Sequence, residues 1–175
     1  PAGLFDICMV EKPRAAFHRA MWNDEPMVRI AVRDNALDID HGRDLWQWPN
    51  MAAIWNFPRA YEGLVIEVNT TTNCERVALF HNGNEMGVRR TADYPNHTIT
   101  WCLPYRRGTL VAKGINGTDT VAVHEIRTAG DAVRLKATAD RGKLMADGQD
   151  LSYVQVELLD KDGTLVQHAD RHVKA

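Results

Sequence analysis

Leu64 to Gly83 reads LVIEVNTTTNCERVALFHNG, and this stretch decides the fold. Leu64, Ile66 and Val68 alternate with Val65 and Glu67, a period of two that sends successive side chains to opposite faces of an extended strand. Val77 and Leu79 share a face after a polar interval. Asn82-Gly83 then closes the run. This dipeptide can take positive φ at both central positions of a tight turn, so a further strand folds back antiparallel to the second.

The same period spreads outward in both directions. Val28, Ile30 and Val32 alternate with Arg29, Ala31 and Arg33. Ile99, Trp101 and Leu103 alternate with Thr100 and Cys102, and Leu110 with Ala112, then Val121 with Val123, follow. Arg107-Gly108, Asn116-Gly117 and Asp162-Gly163 supply turn chemistry. Short strands at this spacing, each with one apolar face, predict an all-β chain with an immunoglobulin-like β-sandwich over residues 26–128.

A boundary is expected at Thr128-Ala129-Gly130-Asp131. Beyond it Val133, Leu135 and Ala137, then Val154, Val156 and Leu158, begin a second set of strands. Residues 129–175 fall short of the roughly 100 that an immunoglobulin-type sandwich uses. The reading is a second, incomplete immunoglobulin-like unit whose open strand edge could pair with a second copy in a homodimer.

Residues 1–25 differ in character. Pro13 suits the first turn of a helix and not its interior, so a short helix is expected from Arg14 to about Met21. The chain begins Pro1-Ala2-Gly3 without an initiator Met or signal-peptide pattern, read as a processed or cut end. Lys and Arg number 21 against 23 Asp and Glu, so the basic surplus of a general nucleic-acid binder is missing. No run of about 18 apolar residues is present, so no membrane-spanning helix is expected.

Chemistry-bearing residues concentrate in 34–62, an aromatic-rich loop with Asp34, Asp38, Asp40, His41 and Asp44 followed by Trp46, Trp48 and Trp55. Flat indole faces suit the C–H faces of sugars, which makes Trp46, Trp48 and Trp55 candidate carbohydrate contacts, against the alternative that they fill a core. Asp24-Glu25 and Asp38/Asp40 are adjacent surface acids, a poor arrangement for a glycosidase pair, which must flank the scissile bond. Asn84-Glu85 follows a hairpin and reads as solvated turn. His168 and His172 lack a third metal ligand, and His41 beside Asp38 and Asp40 reads as solvated loop. Cys8, Cys74 and Cys102 match no zinc pattern; buried free thiols are the plainer reading, with a Cys74–Cys102 bridge as the alternative. No nucleophile elbow, phosphate loop or zinc-protease motif occurs. No catalytic residue, metal site or cofactor is expected within this chain.

Taken in order, the motifs resemble glycoside hydrolase family 2, the β-galactosidase and β-glucuronidase family. Gly3-Leu4-Phe5-Asp6, Lys12-Pro13, Phe17 and Trp22 resemble the exit from that family's catalytic (β/α)₈ barrel. Trp55-Asn56-Phe57-Pro58 resembles its Trp-Asn-Trp motif, with Phe57 in place of Trp. Thr72-Asn73 through Val77, Leu79 and Asn82-Gly83 resembles its Thr-Asn…Asn-Gly hairpin. Trp101, Pro104-Tyr105, Gly108-Thr109-Leu110, Ala112 and Gly117 match the strands that follow, and Thr128-Ala129-Gly130 resembles the join to a further immunoglobulin-like domain. The resemblance implies that residues 1–25 are the tail of the barrel and that the chain is a non-catalytic C-terminal region. It also implies that the parent hydrolyses terminal β-galactosides and that the parent's own barrel is the region's partner. The family's two catalytic glutamates lie upstream of Gly3, so no residue here inherits their roles.

Overall fold

Antiparallel strands, one short α-helix and three single-turn 3-10 helices make up the regular structure in the computed structural model of the chain, which describes residues 3–5, 10–33 and 49–167. Pro13 opens the helix, α1 (Pro13–Trp22), at its first turn, where its missing N–H costs nothing. Ala15, Ala16 and Ala20 form the buried side of α1, and Ala16 and Ala20 pack with Met27. Side chains this small let the helix lie close to the strands beside it.

The chain divides into two units, Pro1–Thr128 and Ala129–Ala175. In the first, β1 (Val28–Arg33), β2 (Met51–Ala52), β3 (Val65–Thr72) and β6 (Thr98–Pro104) form one sheet in the order β2-β1-β3-β6. β4 (Arg76–His81), β5 (Asn84–Arg90), β7 (Thr109–Asn116) and β8 (Asp119–Arg127) form the other, in the order β5-β4-β7-β8. Asn82 and Gly83 take φ of 51° and 80°, the doubly positive turn that joins β4 to β5.

The predicted alternation fills the core. Val28, Ile30 and Val32 on β1, Ile66 and Val68 on β3, and Ile99, Trp101 and Leu103 on β6 meet Val77 and Leu79 on β4 and Leu110 and Ala112 on β7. Each Val, Ile or Leu among them contributes roughly 1.5–3 kcal/mol when fully buried. Thr70 and Thr72 are also buried in β3, and their hydroxyls are satisfied. Trp101 Nε1 donates to Thr70 Oγ1 at 3.0 Å, and Thr72 Oγ1 donates to the Met27 carbonyl at 2.6 Å.

Two expectations about faces need correction. Leu64 is exposed, and β3 begins its buried set at Ile66. Val121 and Val123 face solvent; the inward side of β8 carries Ala122, His124 and Ile126. The pairing explains it, because His124 stands opposite Ala112 and Ile126 opposite Leu110, both of which are core positions.

Side chains close the two flanks of this sandwich. On one, Arg89 of β5 donates to the Thr100 carbonyl of β6, and its guanidinium lies 4.4 Å from the centre of the Trp101 ring. On the other, His124 of β8 accepts the Ile30 N–H of β1 at 3.1 Å.

The second unit holds β9 (Arg134–Ala139) and β10 (Val154–Leu159), paired antiparallel. Leu135 stands opposite Leu158 and Ala137 opposite Val156, which gives the ribbon one apolar face; Leu135 and Val156 are exposed. Asp160, buried, organises the turn after β10. Its carboxylate accepts the Gly130 N–H at 2.8 Å, the Asp162 N–H at 2.9 Å and the Thr164 N–H at 2.8 Å.

Candidate functional site

A cluster of aromatic and polar side chains surrounds Trp55, which lies between β2 and β3. Trp55 is 0 % exposed. Phe57, His81 and Tyr105 meet its ring edge-on, with centroids 6.1, 5.6 and 5.0 Å away. Edge-to-face packing of this kind sets a positive ring edge against a negative face. Tyr61 stacks on Phe57 at 5.5 Å.

Polar tips lock the cluster to the loop after β6. Trp55 Nε1 donates to the Arg106 carbonyl at 3.0 Å, and His81 Nε2 lies 3.0 Å from the same oxygen. The two nitrogens use the carbonyl's two lone pairs, which assigns the His81 proton to Nε2. Phe57 N donates to Tyr105 Oη at 3.2 Å. Thr128 Oγ1 donates to the Trp55 carbonyl at 2.5 Å and accepts the Gly108 N–H at 3.1 Å. One motif thus ties together segments 51 and 73 residues apart in sequence.

This geometry corrects the sugar-stacking expectation for Trp55: both faces of its indole are covered, so it packs the core and presents no platform. Trp46 and Trp48 lie outside the described residues, as do Asp34, Asp38, Asp40, His41, Asp44, Cys8, His168 and His172. Asp24 and Glu25 are exposed beyond α1, and Asn84 and Glu85 are exposed at the start of β5. Cys74 is a buried free thiol and Cys102 an exposed one, so no bridge joins them.

Several described carboxylates serve structure. Glu11 pairs with Arg19 at 3.2 Å and Arg29 at 3.3 Å, Glu67 with Arg33 at 3.6 Å, and Glu157 with Lys136 at 3.3 Å. Asp160 is held below the ordinary carboxylate range by the N–H groups of Gly130 and Thr164. A carboxylate so stabilised as an anion is a poor general acid at neutral pH. No group of three or more His, Cys, Asp or Glu suited to holding a metal ion occurs among the described residues.

Sequence reasoning missed the residue that ties the helix to the sandwich. Asn73, in the link from β3 to β4, accepts the Met27 N–H through Oδ1 and donates from Nδ2 to the Asn23 and Glu25 carbonyls, both at 2.8 Å. Its place in the Thr-Asn motif was the available signal.

The fold defines a class: an all-β chain with a two-sheet sandwich followed by a further β unit. Residues 63–122 match the family described as a domain of unknown function (DUF4982), and residues 135–175 match glycoside hydrolase family 2 C-terminal domain 5. The chain is 39 % identical over 99 residues to β-galactosidase BoGH2A of Bacteroides ovatus, covering 57 % of this chain and 12 % of that protein. It is 28 % identical over 174 residues to a putative β-glucuronidase of Formosa agariphila, covering 98 % of this chain and 15 % of that one. The crystal structure of a glycosyl hydrolase family 2 member from Bacteroides cellulosilyticus superposes with a TM-score of 0.87 at 34 % identity, over 95 % of this chain and 22 % of that chain. These matches show the resemblance that the motifs carry: the chain is similar to members of glycoside hydrolase family 2, and residues 135–175 match that family's C-terminal domain 5. It spans 22 % or less of the length of these relatives.

Proposed function

We propose that this region is the non-catalytic C-terminal part of a family 2 glycoside hydrolase, that it braces the parent's catalytic barrel, and that the parent releases terminal β-linked galactose. The observation that carries the reading is the 39 % identity to a β-galactosidase, higher than the 28 % to a putative β-glucuronidase. The bracing role is supported by the use the described residues make of their polar groups. Carboxylates close ion pairs and turns, and the aromatic cluster is spent on packing. Fold alone would not support a function, since sandwiches serve many. In the parent, a pair of carboxylates on the barrel would carry out hydrolysis with a glycosyl-enzyme intermediate.

The test compares the full-length protein with the 175-residue chain on nitrophenyl β-galactoside and nitrophenyl β-glucuronide. The full-length protein is expected to favour the galactoside in kcat/KM, and the chain to release nothing from either. A preference for the glucuronide overturns the sugar assignment. Turnover by the chain, abolished by changing one of its own carboxylates, overturns the non-catalytic assignment.

A further inference from the structure

We propose that His124 is a pH-sensitive clasp between the two sheets of the first unit: its neutral ring holds β1 to β8, and its protonation releases that flank. The geometry requires a lone pair on Nδ1. A backbone N–H can only donate, and the Ile30 N–H reaches Nδ1 at 3.1 Å, so the ring carries its proton on Nε2. An imidazolium donates from both nitrogens, and a donor would then face a donor.

Among the described residues, the pairing of β1 offers the Ile30 N–H no second acceptor. On one side β1 pairs with β3, where Ile30 stands opposite Thr70. On its other side β2 reaches only Val32 and Arg33. The Ile30 N–H therefore lies beyond the end of β2, and the side chain of His124, on the last strand of the opposite sheet, takes the place of a neighbouring strand.

The charged groups around the ring come from different elements. Arg29 of β1 disfavours the imidazolium, and Glu11, ahead of α1, favours it. Glu11 is shared between Arg29 and Arg19 of α1, which blunts its attraction. From β7 the residue opposite His124 is Ala112, which carries no charge. Burial, with Arg29 adding to it, lowers the His124 pKa from 6.5 to about 4. The folded state thus prefers the neutral ring while the unfolded chain takes up the proton first. Stability is unaffected above about pH 6.5 and falls as the pH drops from there towards 4.

The test follows the His124 ring and the Ile30 amide by NMR in the 175-residue chain, together with urea unfolding of the wild type and of His124→Asn. Asn can accept the Ile30 N–H without titrating. The Ile30 signal is expected to move with the His124 ring, with a midpoint near 4. Between pH 7 and 4 the unfolding equilibrium constant of the wild type should rise by about tenfold to a hundredfold relative to that of the variant. The proposal is overturned if His124 titrates at 6.5, if the Ile30 amide ignores its titration, or if both proteins lose stability in parallel on acidification. Should His124→Asn fail to fold, the wild-type titration decides alone.

Discussion

Asn73 Oδ1 accepts the backbone N–H of Met27 at 2.7 Å, and this contact fixes how the chain passes from α1 into β1. The same side chain donates to the carbonyls of Asn23 and Glu25, so one amide satisfies three backbone groups between the helix and the sheet. Met27 in turn packs on Ala16 and Ala20, and its carbonyl receives the Thr72 hydroxyl.

Asn73→Ala should therefore cost about 2 kcal/mol, several partly exposed hydrogen bonds at roughly 0.5–1.5 kcal/mol each, reduced by water taking their place. Urea unfolding gives the magnitude, and hydrogen exchange should show lost protection centred on Met27. Unchanged exchange there would mean that α1 is held without the Asn73 amide, by its apolar packing and the Glu11 ion pairs.

Gly114 sits on β7 where a side chain has no room: a Cβ there would lie 2.6 Å from Cys74 Sγ. Its φ is not in the positive region, so steric crowding is the only objection to a larger residue. Gly114→Ala is expected to cost about 1–3 kcal/mol by overpacking. In a Cys74→Ala background the cost should shrink by roughly 1 kcal/mol, since the sulfur is then gone. Additive losses in the double-mutant cycle would show that the β-carbons of Ala122 and residue 74, and not the sulfur, resist the methyl group.

Asp160 gives the second unit its own acid sensitivity. The Gly130 and Thr164 N–H groups depress its pKa, so the stability it lends is present above the ordinary carboxylate range and is lost as the pH falls through the depressed value. NMR should show the Gly130, Asp162 and Thr164 amides shifting together on acidification, and Asp160→Ala should remove that shared transition at every pH. Independent movement of the three amides would separate the turn from the carboxylate.

Much of this architecture is written locally. Asn82-Gly83 announces the β4–β5 turn because its backbone preference needs no distant partner, and Pro13 marks the start of α1 for the same reason. What eluded local reading depended on distant partners. The β8 stretch Asp119–Arg127 carries Val121 and Val123 on one face and Ala122, His124 and Ile126 on the other, and hydropathy favours the valines. The choice goes the other way because β7 places Leu110 and Ala112 opposite Ile126 and His124, and because the imidazole finds an N–H 94 residues away. For Trp55 packing is the plainer reading and sugar stacking the alternative, and the contacts with Arg106 and Tyr105 decide for packing. The covalent neighbours of an indole do not reveal whether its faces will be covered.

The Arg89 bond to Thr100 has a consequence for how the molecule behaves in a crowd. A strand at the rim of a sheet is a template on which a stray extended segment can stack, and repeated stacking seeds fibres. With the Thr100 carbonyl already capped by a guanidinium, and a positive charge standing at the rim, an incoming segment meets an interrupted ladder. The sandwich thereby guards its own border.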